Sequence, residues 1–514
     1  MKKAAFSVMI ITVLSKLVGF AREMVLSYVY GASALTDAYL ISQTVPTVIF
    51  SFVSAGIATG FIPMYSRILA EYGKGEADRY TSNLSNALLL VASIIVAIVF
   101  LVAKPVVKAF ALGFSGETLE MAVRLTRISV FGVYFTGLTN IFSGYLRLHG
   151  DFIIPALIGF PMNLVIIGSL FLSSKTSIYV LAAGSVVATS SQVLLCIPSM
   201  QKAGYRHSLS LNLRNDHLKA MMLLALPVIV GTAVNDINVL VDRTMASRIA
   251  VGAISALNYA RRLNGFVQGL FVVSVTTVLY PMIAKMAAEG KLRSLKAYLA
   301  EAMTMVNLLV VPSTVGAMIF SHEVVTLLFG RGAFTPEAID MTGVALFYYS
   351  ISMIAFGMRD VLTRVFYSLH DTRTPMINSA VAVVVNIALN IILSRFLGIG
   401  GLALATSISG ILSAVLMFIK LRKKIGPFGL KETTKSFAKI VGASTLMAII
   451  AQRSFVLFQR FLTQNAALIA AIGVGALTYG VLILSMRVPE VDRTVKIVRH
   501  RVQRRFMKKE EPEG

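Results

Sequence analysis

The chain has 514 residues, of which 56% are hydrophobic and only 14% charged, with a mean hydropathy of +0.77. Soluble domains carry about 25% charged residues, and the repeated apolar runs here are about the 20 residues that span a bilayer, so a soluble fold is excluded. The net charge of +24 would suit nucleic acid, but membrane proteins collect Lys and Arg in cytoplasmic loops, and the charge proves to be one-sided.

The first span opens after Lys2 and Lys3 and contains Ser15-Lys16-Leu17-Val18-Gly19-Phe20-Ala21-Arg22-Glu23. Lys16, Arg22 and Glu23 interrupt the apolar run, which is wrong for a cleaved signal peptide, so the segment is expected to stay as a helix. Charged and Gly/Pro-rich joints then divide the chain into fourteen expected helices. They are 5–30, 35–63, 83–106, 121–146, 153–173, 177–199, 219–242, 253–284, 298–320, 338–366, 375–395, 400–420, 437–457 and 465–486. The class is an all-α integral membrane protein.

When the joints are numbered alternately from the inside, inside segments hold 31 of the 48 basic residues. Both termini are therefore expected on the cytoplasmic side, and no nucleic-acid partner is needed to explain the charge. In the tail, Val491, Val495, Val498, Val502 and Phe506 recur at helical spacing among Arg and Lys. That pattern fits either an interfacial helix on anionic lipid or a solvated basic tail. The lone Cys196 supports neither a disulfide framework nor a zinc site.

Two halves resemble each other at an offset of about 220 residues. GASALTDAY (31–39) echoes VGAISALNY (251–259), IPMYSRILAEYGKG (62–75) echoes YPMIAKMAAEGKL (280–292), and LHGDFIIP (148–155) echoes LHDTRTP (369–375), with His149 and His370 in corresponding loops. Asn163 likewise echoes Asn386. Six helices per half is an even number, so the repeat is parallel. Such repeats build transporters with a site between the halves near the midplane. The expected division is 1–203 and 204–425 for two six-helix lobes, 426–488 for two further helices and 489–514 for the basic tail.

Lys16, Arg22, Arg261, Arg262, Arg359 and Arg364 lie in or at the edges of spans, with Glu23, Asp37, Asp236, Asp242 and Asp360. A centred Arg or Lys costs about 2.5–3.5 kcal/mol on insertion scales. These residues should therefore line a wet cavity, pair, or reach an interface. The excess of positive charge points to an anionic substrate, because Arg binds phosphate or carboxylate bidentately. Lys16 and Glu23, seven residues apart, share a helix face, whereas Arg22 points elsewhere unless Gly19 bends the helix. Asp37 either serves that site or merely caps the second helix. No HExxH, CxxC or nucleophile elbow is present, so nothing argues for an enzyme.

SKLVGFARE, GASALTDAY, residues 238–281, GRGAFT (330–335) and FYSLHDTRTP (366–375) resemble the MurJ (MviN) family of bacterial lipid II flippases, across nearly the whole chain. The resemblance implies two six-helix lobes around a cationic cavity, with the last two helices forming a groove for the polyprenyl tail. It implies lipid II as substrate, the bacterial cytoplasmic membrane as location, and membrane lipids and other cell-wall synthesis proteins as partners. It places substrate-binding residues at Lys16, Arg22, Glu23, Asp37, Arg262 and Arg364. It also marks Asp242, Asn386, Asn390 and Thr406 as a candidate sodium site, with no other cofactor.

This chain departs from the family's pattern. Phe50-Ser51 stands where many members have Arg, Ala55 where they have an acid, Lys16 where Arg is common, and Asn390 where an Asp is usual. Arg261 adds a charge and is expected to compensate for the missing Arg of the second helix. The rival readings are a flippase for another polyprenyl-pyrophosphate glycan, a drug/cation antiporter, and a non-transporting cell-envelope scaffold. An antiporter would want acids in the cavity and twelve helices.

Overall fold

The computed structural model describes residues 2–428, 430–486 and 491. Among them every regular element is a helix. The chain runs through α1 (Lys2–Tyr30), α2 (Ala34–Leu101), α3 (Ala103–Phe110), α4 (Gly116–Ser129), α5 (Gly132–Leu148), α6 (Ile153–Leu157), α7 (Gly159–Lys175) and α8 (Ile178–Lys202). It continues with α9 (Asp216–Ile249), α10 (Ala253–Ala288), α11 (Leu292–Ile319), α12 (Ser321–Phe329), α13 (Pro336–Ser350) and α14 (Met353–Ser368). The last three are α15 (Arg373–Ile425), α16 (Leu430–Phe458) and α17 (Gln464–Ser485). Apart from Val491, the basic tail 489–514 lies outside the described residues.

Seven helices are long and apolar enough to cross a membrane, or nine if two bent pairs each make one span. That establishes a multi-span protein rather than the number fourteen. Two of the seven are too long for one crossing. At about 1.5 Å per residue, the 68 residues of α2 would reach roughly three times the bilayer's apolar thickness. The helix breaks where it must, at Gly73 with φ 81° and ψ 177°. The 53-residue α15 breaks likewise at Gly398, with φ 53° and ψ −125°.

The chain divides into two compact units. The first is Met1–Tyr259 with Leu328–Met341 and Asn390–Leu402; the second is Ala260–Leu327, Thr342–Leu389 and Ala403–Gly514. In the first, α2 packs along α4, α5 and α9, around Phe61, Tyr65, Tyr80, Leu88 and Tyr145. Missing side chains let helices approach: a Cβ on Gly137 would lie 2.6 Å from Leu88 Cδ2, and one on Gly144 2.8 Å from Phe61 Cδ1. In the second unit, α11 packs on α14 and α16. Val272, Val306, Val310, Met353 and Phe366 fill its main core. The α16–α17 pair is tied to α11 by Tyr479 Oη, which donates to Leu308 O at 2.8 Å.

The repeat is visible in local geometry. Helix α5 ends with Asp151 N donating to Leu146 O at 2.9 Å, and α14 ends with Asp371 N donating to Phe366 O at 2.9 Å. In both, the Asp carboxylate then accepts from the next helix: Asp151 Oδ1 from Ile153 N, 3.1 Å, and Asp371 Oδ1 from Thr374 N, 2.9 Å. Each turn needs a residue at positive φ, as a helix-ending motif does. The first uses Gly150 (φ 81°), whereas the second uses His370 (φ 57°). The two loops correspond, but the structural partner of His370 is thus Gly150, one residue along from the sequence pairing with His149. Lys424 Nζ sits 2.6 Å from Asp371 Oδ2. Burial raises the Asp371 pKa, but the bonds from Lys424 and Thr374 outweigh it and hold the carboxyl below its ordinary range.

A side chain in the left-handed region costs about 1–2 kcal/mol, partly offset by the extra chain entropy that glycine loses on folding. His370→Gly should therefore stabilise the protein by up to about 1 kcal/mol. Thermal unfolding in detergent would show a raised midpoint; an unchanged or lowered one would mean that the histidine side chain makes compensating contacts.

Candidate functional site

The SKLVGFARE segment stays helical throughout α1. Gly19 does not bend it. Instead a Cβ at Gly19 would meet Asn163 Nδ2 at 3.5 Å, and one at Gly159 would meet Ser15 Oγ at 2.2 Å. The missing side chain of Gly159 lets α7 approach α1 closely, and Asn163 anchors itself by donating to Gly159 O at 2.7 Å.

Arg22 pairs with its sequence neighbour: Arg22 Nη2 lies 2.6 Å from Glu23 Oε1. Glu23 is 4% exposed and Arg22 is half-buried. Glu23 Oε2 also accepts from Asn258 Nδ2 at 3.3 Å. A buried carboxylate is tolerable only when paired and hydrogen-bonded, and this one is both. Lys16 lies on an exposed part of α1.

Asp37 does not cap its own helix. Its own helix is capped by Ser33, whose Oγ accepts from Thr36 N at 3.4 Å. The Asp37 carboxylate, 1% exposed, turns to the start of α10. Oδ2 accepts from Gly252 N at 2.8 Å, and Oδ1 accepts from both Ser255 N and Ser255 Oγ at 2.7 Å. A carboxylate there satisfies orphan N–H groups and complements the positive end of the helix dipole. The grip is reciprocal. Tyr259 Oη donates to Gly31 O at 3.2 Å, and a Cβ on Gly252 (φ 81°) would lie 2.4 Å from Ala32 O. The GRGAFT turn closes on the same joint, with Ala333 N donating to Tyr28 O at 2.9 Å. Gly252, Ser255 and Asn258 were visible in the repeat motif VGAISALNY, but nothing in the sequence showed that they bind Asp37 and Glu23.

The other predicted residues are placed as follows. Arg261 and Arg262 are exposed on α10. Arg364 is half-buried with its guanidinium carbon 5.5 Å from the centre of the Tyr280 ring, and Arg359 stacks similarly on Phe356 at 4.7 Å. Phe50 points into the core of the first unit and is 2% exposed; its neighbour Ser51 instead donates its hydroxyl to Asp236. Among the sodium candidates, Asp242 Oδ1 accepts from Asn390 Nδ2 at 2.7 Å within the first unit. Asn386 Nδ2 donates to Thr406 Oγ1 at 3.4 Å within the second. A carboxylate, amide carbonyls and a hydroxyl are hard oxygen donors of the kind an alkali cation takes. No group of three or more His, Cys, Asp or Glu side chains gathers among the described residues.

An all-helical, multi-span chain with paired charges inside its spans and an internal repeat is a polytopic membrane transport protein. Its fold is that of a multidrug resistance MATE family transporter of the MOP superfamily, solved facing inward. That match has a TM-score of 0.66 at 15% identity and covers 82% of this chain and 98% of that one. The family model described as Lipid II flippase MurJ matches residues 26–472, and the chain belongs to that family. A lipid II flippase MurJ solved in an inward closed conformation matches with a TM-score of 0.79 and 26% identity, covering 92% of this chain and 97% of that one. The lipid II flippase MurJ of Burkholderia cenocepacia is 27% identical, covering 87% of this chain and 88% of its own. The probable lipid II flippase MurJ of Thermotoga maritima is 26% identical, covering 94% and 96%.

Removing the Asp37 carboxylate leaves buried N–H groups of Gly252 and Ser255 unsatisfied, at about 1–3 kcal/mol. Asp37→Ala should lower thermal stability markedly, and Asp37→Asn, which keeps one acceptor, should lower it less. Equal stability of Asp37→Ala and wild type would contradict the capping role.

Proposed function

We propose that this chain moves lipid II, an undecaprenyl-pyrophosphate glycopeptide, from the inner to the outer leaflet of the bacterial cytoplasmic membrane by alternating access. Both termini lie in the cytoplasm, as the one-sided distribution of Lys and Arg supports. The lobes 1–203 and 204–425 are the moving bodies, and the helices of 426–488 take the lipid tail.

The observation that carries this reading is the Arg22–Glu23 pair, held by Asn258 inside a membrane-length helix. Glu23 and Asn258 fix the guanidinium without covering it, and Arg22 keeps 18% of its side chain exposed. A planar, permanently charged fork in that state suits a pyrophosphate. Lys16 adds positive charge on the same helix; Arg261, Arg262 and Arg364 are the cations expected of the second unit. Asp37 and the turn it caps hold the joint of α1 and α2 to the start of α10, a contact that opening on that side would have to break.

An inside-negative potential contributes about 2.3 kcal/mol per charge per 100 mV, and it favours outward passage of an anion. Arg22→Ala and Arg262→Ala should each abolish flipping while membrane insertion persists, and Arg261→Ala should impair it severely. The measurement is growth of a strain depleted of its own lipid II flippase, with each variant's membrane level checked by immunoblot. Normal growth on Arg22→Ala would refute the assignment of that residue.

Sodium fits the oxygen donors of Asp242 and Asn390 in the first unit; Asn386 and Thr406, the other two residues of the expected set, belong to the second. Bound there, it would supply a counter-charge for Asp242. Sodium should then raise the thermal midpoint of the purified wild type more than an equal concentration of choline does, and Asp242→Asn should lose that increment. An identical response to the two salts in the wild type would remove sodium from the account.

A further inference from the structure

The segment that joins α8 to α9 has no place in the site described above. Residues 205–212 form no helix, and α2 holds them by their backbone. Ser82 Oγ accepts from Ser208 N at 3.2 Å, and Asn86 Nδ2 donates to Ser208 O at 2.9 Å and to Ser210 O at 2.8 Å. Asn83 then pairs with Asn212 on two sides: its Oδ1 accepts from Asn212 N at 2.6 Å, and its Nδ2 donates to Asn212 O at 3.0 Å. The root of the segment is fixed as well. Lys74 Nζ donates to Ala203 O at 2.6 Å, and the ring of Tyr205 meets that of Tyr145 edge-on with centres 5.2 Å apart.

These contacts give the segment a direction. It starts at Ser82, reaches Asn86 and returns to Asn83, so it dips about 6 Å along the axis of α2 and comes back. The dip points into the span: beyond Asn86, residues 87–101 of α2 carry Ser93 as their only polar side chain. On the face of α2 that bears Asn86, Leu90, Ile94 and Ile98 follow at intervals of four, and all three are exposed. An exposed apolar stripe on a membrane span meets acyl chains, which are as apolar as leucine itself. Asn86 therefore holds the dip at the head of a lipid-facing stripe.

The dip carries apolar side chains outward and basic ones on its flanks. Leu209, between the two residues bonded to Asn86, is 92% exposed, and Leu211 and Leu213 are exposed too. Residues 202–219 hold Lys202, Arg206, Arg214 and Lys219 against one acid, Asp216, which Lys219 engages at 3.3 Å. Arg206 and Arg214 stand on either side of the dip, both exposed, and no ion pair among the described residues includes either. Apolar groups flanked by basic ones bind a membrane surface by two forces together, burial of the first and attraction of the second to anionic headgroups. We propose that residues 206–214 are a strap that binds anionic phospholipid: Leu209, Leu211 and Leu213 enter the edge of the acyl layer, and Arg206 and Arg214 take the phosphates around them. A guanidinium fork suits a phosphate.

The strap needs the spans to lie in a bilayer and does not depend on what they carry. Its test is a nitroxide at Leu209→Cys, with Cys196, the single cysteine, changed to Ala. The full chain is placed in nanodiscs of phosphatidylcholine with phosphatidylglycerol. Labels at Ile94→Cys on the exposed stripe and at Glu76→Cys, an exposed position of α2, give the lipid and water references. The label at 209 should collide with oxygen and be shielded from an aqueous nickel chelate, as at 94. Leaving out phosphatidylglycerol should raise nickel accessibility at 209 several-fold. Arg206→Gln with Arg214→Gln should show the raised value in both lipid mixtures, and Asn86→Ala, which releases the dip, should raise it too. Nickel accessibility like that at 76 overturns the proposal. Shielding from both probes overturns it in favour of a protein cover. Accessibility that ignores phosphatidylglycerol overturns it as well, because the anionic headgroup is the stated ligand.

Discussion

The Asp37 carboxylate holds together more of the first unit's chemistry than any other single group. Three donors from the start of α10 converge on it. It can be buried only because they do. That contact fixes α10's first turn, which in turn carries Asn258 to Glu23 and Tyr259 to Gly31. Glu23 holds Arg22. Arg22, the cation we propose for the substrate, is thus oriented through a chain of bonds that begins at a helix cap. The two segments involved, GASALTDAY and VGAISALNY, are copies of one motif. Duplication has given each half of the chain one side of the same clasp.

Much of this architecture was legible in the sequence, for physical reasons. Bilayer thickness forces apolar runs of fixed length, so an all-helical membrane protein follows from hydropathy. A 68-residue apolar helix cannot remain unbroken, and glycine is where it breaks. The positions of the charges were legible too, because so few are allowed. Their partners were not. Spacing along α1 set Glu23 on the face of Lys16, yet Arg22, its immediate neighbour, reaches it because a long flexible side chain overrides the nominal 100° separation. A bend at Gly19 would have brought Arg22 round to that face, but α1 is helical through it and Gly19 lies against Asn163. As a cap, Asp37 read as local, and the helix it caps begins more than 200 residues away. Tertiary pairing of this kind leaves no trace in periodicity.

The departure from the family pattern at Phe50-Ser51 takes on a physical form. Phe50 is core, packed where a Cβ on Gly137 would come within 2.9 Å of its ring. Ser51 is the residue that meets an acid. The position where the resemblance leads one to expect Arg is therefore occupied here by a core ring and a neutral donor.

The two buried acids of α1 and α2, Glu23 and Asp37, are tolerated because each is fully engaged by partners. Arg22 meets Glu23, Asp37 a helix end, and Asp242 the amide of Asn390. The most direct measurement of that account is translocation itself. Purified protein would be reconstituted in vesicles with labelled lipid II in the inner leaflet. Under an inside-negative potential, label should become accessible to an external quencher faster than in protein-free vesicles, and Arg22→Ala should return the rate to that background. Equal rates with and without the wild-type protein would contradict the account.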